Sequence, residues 1–126
     1  MKEFKIFVNN KPGELARVTE ALAASAVNIK AIASEGAMDK PFLRIVTTDA
    51  TTTERALKSA GLAFQLSETL DVDLMDRPGE LAKIARRLAR QGVNVESIYI
   101  LGSKNGKTQI AITVSDMERA KNAIKS

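Results

Sequence analysis

The feature that most constrains this chain is that it is written twice. Asn10-Lys11-Pro12-Gly13-Glu14-Leu15-Ala16 returns 66 residues later as Asp76-Arg77-Pro78-Gly79-Glu80-Leu81-Ala82. The register holds onward, Val18 to Ile84, Leu22 to Leu88, Val27 to Val93, Asn28 to Asn94, Ile29 to Val95 and Ile32 to Ile98. It holds upstream too, with Phe4, Ile6 and Val8 facing Leu70, Val72 and Leu74. A shared period of this length marks two copies of one supersecondary unit, each of ~60 residues. The boundaries expected are 1–68 for the first unit and 69–126 for the second.

Each copy parses alike. Phe4/Ile6/Val8 and Leu70/Val72/Leu74 have the alternation of a half-buried strand. Pro-Gly then opens a helix, in which Leu81, Ile84, Ala85 and Leu88 of copy two share a face at spacings of three and four. Gly92 stands where that helix stops, since glycine takes the left-handed conformation cheaply; copy one has Ala26 there. A second strand starts around Val93-Asn94-Val95. Asn105-Gly106 marks a tight hairpin turn, and Ile110/Ile112/Val114 form a third strand, matched by Leu43/Ile45. Capping boxes Thr51-x-x-Glu54 and Ser115-x-x-Glu118 open a second helix in each copy. Copy one adds a fourth strand over 62–66; copy two ends directly after its second helix. The architecture expected is α+β: two ferredoxin-like βαββαβ units in tandem, joined without a linker into one rigid body, the second lacking its last strand.

Composition closes most catalytic routes. There is no cysteine and no histidine, which removes thiolate chemistry, disulfides, the commonest general base and the commonest metal ligand. No carboxylate dyad or nucleophile–base pair stands at a recognisable spacing, so neither an enzyme, a cofactor nor a metal is expected. Lys plus Arg number 19 and Asp plus Glu 15, a net charge of +4. Each half carries +2, too mild to indicate nucleic acid. The N-terminus alternates charges where a signal peptide needs an apolar run. The stretch from Val18 to Ile29 contains Glu20 and is too short to cross a bilayer, so a cytoplasmic protein without membrane contact is expected.

A βαββαβ unit with Asn/Asp-x-Pro-Gly-x-Leu-Ala after its first strand and Val-Asn-Ile/Val opening its second resembles the ACT domain. The resemblance covers the whole chain, once per copy. It implies a non-catalytic regulatory module in which paired units bind a small effector, usually an amino acid, at their interface. There the loop after the first strand of one unit meets the start of the second strand of its neighbour. Carried over by position, the implied binding residues of copy one are Asn10, Pro12, Gly13, Glu14, Leu15, Asn28 and Ile29. Those of copy two are Asp76, Gly79, Glu80, Leu81, Asn94 and Val95. In serine-sensing members a His-x-Asn-x-Pro-Gly loop holds the effector. The histidine position falls here on Val8 and Leu74, which favours a more apolar ligand or none.

The residues support such a site on their own chemistry. A helix start offers N–H groups without intrahelical partners, a ready place for a carboxylate. Gly13 and Gly79 let a ligand approach their backbone, and asparagine carboxamides both donate and accept. Plainer roles are equally open: Asn10 and Asp76 suit helix caps, and Asn28 and Asn94 suit turns.

Two features belong to copy two alone. Lys83, Arg86, Arg87 and Arg90 form a basic stripe, either a solvated face or a docking surface for an acidic partner or regulated enzyme. The missing fourth strand would leave residues 69–75 at a sheet edge, which proteins usually cover. Residues 62–68 are needed by copy one's own sheet, so a second chain, giving a homodimer, is the expected cover. The rival to ligand sensing is a structural interaction module that binds nothing small. RNA binding ranks low, because the third strands carry no aromatic for stacking.

Overall fold

The computed structural model describes residues 1–36 and 39–125. It divides into two units, Met1–Glu68 and Thr69–Ser126. The first runs β1 (Lys2–Phe7), α1 (Glu14–Ala24), β2 (Ile29–Glu35), β3 (Phe42–Thr47), α2 (Ala50–Ser59) and β4 (Phe64–Glu68). Its sheet has the order β2-β3-β1-β4 with every neighbour antiparallel. The second runs β5 (Leu70–Met75), α3 (Glu80–Arg90), β6 (Val95–Lys104), β7 (Lys107–Val114) and α4 (Met117–Lys125), in the order β5-β7-β6. Both are ferredoxin-like, and the second ends on a helix.

Alternation puts one set of side chains under the helices. Phe4, Ile6, Leu43 and Ile45 of the first sheet meet Val18 and Leu22 of α1 and Leu57 of α2. In the second unit Leu74, Ile110 and Ile112 meet Ile84, Leu88, Ala120 and Ala123. Removing this apolar surface from water is the main stabilising term in each unit.

The turns follow residue chemistry closely. Asn105 and Gly106 both have positive φ, 56° and 73°, as a two-residue hairpin of this hand requires. Gly92 is left-handed at φ 69°, and the N–H of Val93 closes back on the Leu88 carbonyl at 2.9 Å. Ala26 takes the same conformation at φ 56°, with Val27 N–H on the Leu22 carbonyl at 3.0 Å. Copy one therefore ends its helix in the same motif, with a strained residue where copy two has glycine.

Two local expectations change. The second helices are capped by aspartates rather than by Thr51 and Ser115. Asp49 accepts the Thr52 N–H at 3.1 Å and its hydroxyl at 2.7 Å, and Asp116 accepts the Arg119 N–H at 3.0 Å. A carboxylate offers two acceptor oxygens to the helix start, so the charged residue wins the position. The Thr52 hydroxyl, then its amide, hold the Asp49 carboxyl below its ordinary pKa. Ser115 instead accepts the Asn94 N–H at 2.9 Å. The fourth strand starts at Phe64, not at 62, because Gly61 turns at φ 70° and Leu62 bonds back to the Leu57 carbonyl at 3.0 Å. As expected, β4 pairs with β1, so this segment serves its own sheet, and β5 lies at a sheet edge with β7 as its strand neighbour among the described residues.

The shared helix stop makes a reciprocal test. Gly92→Ala should lose about 1 kcal/mol and Ala26→Gly should gain up to about 1 kcal/mol, measured by urea denaturation. A Cβ on Gly92 would meet nothing closer than Arg119 at 3.7 Å, so its cost is conformational rather than steric.

Candidate functional site

The loop between β1 and α1 is built around Gly13, and that between β5 and α3 around Gly79. Both glycines are left-handed, φ 92° and 88°, and stand immediately before the helix. Their carbonyls accept the first helical bonds, from Arg17 at 2.9 Å and Lys83 at 3.1 Å. Pro12 and Pro78 thus lie one residue outside the helix starts. A side chain at either glycine would be strained, although open space surrounds both.

Neither helix start has a side-chain cap. Asn10 and Asp76 are exposed and do not take that role, which removes their plainer reading. The carboxylate of Glu14 folds back instead. It is buried and accepts the Asn9 N–H and the Arg17 Nε, both at 2.9 Å. These two bonds, the backbone one first, hold its carboxyl below the usual glutamate range. In the second unit Glu80 accepts Arg77 Nε at 2.6 Å and Lys83 Nζ at 3.2 Å, which lower its pKa in that order. The Glu80 N–H turns back to the Arg77 carbonyl at 3.5 Å; the remaining N–H groups of each first turn have no side-chain cap and can face solvent or a ligand.

A small cleft opens beside each loop. The first, about 140 Å³, is lined by Asn10, Lys11, Glu14 and Leu15 of the loop and helix start and by Ser34 and Gly36 at the end of β2. The second, about 150 Å³, has Asp76, Arg77, Glu80 and Leu81 at the corresponding places, with Ile100 where the first has Ser34. The Asn10 oxygen lies 3.3 Å from where a Cβ on Gly36 would stand, so a side chain there would press on that carboxamide by a few tenths of an ångström. Gly36, Ser34 and Ile100 were not among the expected residues. The one signal for them is that β2 and β6 are parallel to β1 and β5 and end beside the loops.

The same topology keeps Asn28, Ile29, Asn94 and Val95 out of these clefts. In the first sheet Ile29 and Lys2 both pair with Thr47, whereas Glu35 and Phe7 both pair with Phe42. The start of β2 therefore lies beside the start of β1, a strand length of roughly 17–20 Å from the loop that follows it. The second unit repeats this: Val95 pairs with Val114, and Met75 and Lys104 both pair with Lys107. Asn28 and Asn94 are exposed, whereas Ile29 and Val95 pack against their own cores. Asn94 is further fixed by reciprocal bonds with Ser115: its N–H donates to the Ser115 hydroxyl and its carbonyl accepts the Ser115 N–H, each at 2.9 Å.

A third depression lies between α3 and β6. It is wholly apolar, about 180 Å³, walled by Leu81, Ile84, Leu88, Val95, Ile98 and Ile112 among others. Its rim residue Ile98 is 45% exposed, and Ile100 beyond it 68%. The first unit exposes Leu15 and Ile32, 54% and 46%, at the positions of Leu81 and Ile98, and has Ser34 at that of Ile100. Among the described residues no group of three or more acidic, His or Cys side chains is placed to hold a metal, and no helix is long and apolar enough to cross a membrane.

With this geometry the comparisons are decisive for family. The family described as ACT domain pair matches residues 1–126. The chain belongs to that family. A crystal structure of a Bacteroides thetaiotaomicron protein matches with 30% identity and a TM-score of 0.87, covering 98% of this chain and 85% of that one. The regulatory subunits of aspartate kinase from Thermus thermophilus and Thermus flavus share the fold. Their TM-scores are 0.71 and 0.68 at 20% and 21% identity, over 98% of this chain and 87% and 88% of theirs. No curated protein sequence matches. The chain carries the loop geometry twice, and the two loops differ in charge: a carboxamide, Asn10, in one and a carboxylate, Asp76, in the other.

The acidic groups at the helix starts give this ACT pair a defined acid limit. A carboxyl with a lowered folded pKa contributes stability above its unfolded value and loses it as pH falls through the folded one. Urea midpoints should therefore be level above the ordinary glutamate value of 4.5 and decline below it. Glu14→Gln should lower the midpoint near neutrality and flatten the decline. An unchanged acid profile in that variant would contradict the assignment.

Proposed function

We propose that this ACT domain pair is a non-catalytic regulatory module that binds an amino acid or a close analogue. In this reading the loop of one unit and the second-strand start of a neighbouring unit form the site together. The observation that carries the reading is the pairing of uncapped helix starts with uncommitted carboxamides. The N–H groups behind Gly13 and Gly79 suit an α-carboxylate. Asn10 is left out of the helix cap and offers both donor and acceptor, as do Asn28 and Asn94. Asp76 is the one loop residue that can meet an ammonium group with a charge, so the two loops would hold a zwitterion differently. Leu15, Leu81 and Ile100 make the surroundings apolar, which favours an effector with an aliphatic side chain over serine.

A loop and a strand start at opposite ends of one unit cannot share one small molecule. The site therefore needs a second unit. Association is supported by the exposed apolar positions at Leu15, Ile32, Leu81, Ile98 and Ile100, which a monomer in water would leave unburied. We infer a homodimer, with a mass by light scattering near twice 13.6 kDa. The same apolar positions also fit an interaction module without a small ligand, and ligand-dependent stabilisation separates the two.

A thermal-shift screen against the twenty amino acids should find at least one that stabilises the protein. At a hundredfold excess over the dissociation constant, one site contributes about 2.7 kcal/mol, a shift of several degrees. Asn10→Ala combined with Asn94→Ala should abolish the shift and change the unliganded melt by less than about 1 kcal/mol, since neither side chain caps a helix. A screen of amino acids, nucleotides and related metabolites with no shift, in a protein that still dimerises, would leave the interaction module as the function.

A further inference from the structure

Because the fold is built twice in one chain, each unit serves as the other's control: what one copy has and the other lacks is not required by the fold. The helix layers differ in this way. Helices α1 and α2 carry three basic and three acidic side chains. Helices α3 and α4 carry seven basic and two acidic, an excess of five. The whole chain has a net charge of +4, so the rest of the molecule is close to neutral.

Part of that charge is structural. Arg87 donates to the Ile124 carbonyl at 3.3 Å and Arg119 to the Gln91 carbonyl at 3.4 Å, so each closes the C-terminal end of the opposite helix. Lys83 is paired with Glu80 at 3.2 Å. That leaves Arg86 and Arg90, one turn apart on α3, and Lys121 and Lys125, one turn apart on α4. All four are exposed, and none has an ion pair or hydrogen bond among the described residues. The layer's nearby acids are already engaged, Glu80 by Arg77 and Lys83 and Asp116 by the helix start and Arg119 at 3.8 Å. Only Glu118 offsets the four cations.

We propose that the outer face of α3 and α4 docks an acidic segment of a partner protein. This rests on the regulatory reading: a module without catalytic groups acts only through another protein, and of the two helix layers this one carries an unbalanced charge that the other unit folds without. Arginines one turn apart lie ~6 Å from each other along the helix, the spacing of carboxylates one turn apart on a partner helix. Arginine also takes carboxylates in bidentate fashion. Nucleic acid fits less well. Neither helix holds an aromatic side chain for base stacking, and four free cations release few counterions.

The test is fluorescence anisotropy with the full-length protein and a labelled helical peptide bearing glutamates one turn apart, against duplex DNA of equal charge. It requires no small ligand, so it stands or falls apart from the thermal-shift screen. The peptide should bind, more tightly than the DNA, with affinity falling as salt rises. Arg86→Glu with Arg90→Glu should weaken it about tenfold or more, whereas Arg55→Glu with Lys58→Glu on the first unit's layer should change it less than about twofold. Circular dichroism and the unliganded melt report whether each variant is folded; Lys121→Gln with Lys125→Gln, which leaves α3 intact, should give a smaller loss in the same direction. No binding, equal losses from both layers, or tighter binding of DNA would overturn the proposal.

Discussion

The arrangement of binding groups follows from one constraint, the antiparallel pairing of the third strand of each unit with both the first and the second. β3 lies between β1 and β2, and β7 between β5 and β6, so the outer two strands of each trio run parallel. Parallel strands start at the same end of a sheet. The loop that leaves the first strand and the asparagine that enters the second are therefore held a strand length apart, whatever their side chains. Hydrophobic alternation fixes the register that enforces this, since a slip of one residue would turn Phe4 and Ile6, or Leu74 and Ile110, out of their cores.

A repeated chain also separates what the fold needs from what it merely carries. Left-handed glycines before α1 and α3, the Schellman-type stops at Ala26 and Gly92, and aspartate caps on α2 and α4 occur in both copies. These are the conditions for building the unit. The exposed apolar positions beside α1 and α3, Leu15 with Leu81 and Ile32 with Ile98, are also common to both, as the proposed assembly requires. Asn10 against Asp76, Ser34 against Ile100, and a neutral helix layer against a basic one are the differences. They are free to serve recognition because the other copy folds without them.

The fold was legible in the sequence because its two periods, alternation in strands and three-to-four spacing in α3, are both strong and both repeated. The Asn105-Gly106 turn was legible for the same kind of reason, since few residue pairs tolerate positive φ twice. Local competition was not. Thr51 and Ser115 match a capping pattern, yet the aspartate two residues before Thr51 and the one directly after Ser115 take the helix starts, and no motif states which acceptor wins. Pro12 and Pro78 suggest where a helix begins, but the left-handed glycine after each moves the start by one residue further. The loop residues Asn10, Glu14, Asp76 and Glu80 were readable from the motif. Ser34, Gly36 and Ile100 were not, because they reach the clefts through the sheet, from the far end of another strand.

The account's central claim is that one small ligand draws on the loop of one unit and the strand start of another. Amide chemical-shift mapping tests it most directly, using isotope-labelled protein titrated with the amino acid that stabilises it most. The account predicts saturable shifts in two groups together, residues 10–16 with 94–96, or residues 76–82 with 28–30, at the same dissociation constant. Shifts confined to a single loop, with the amides of Asn28 and Asn94 unmoved at saturation, would contradict it.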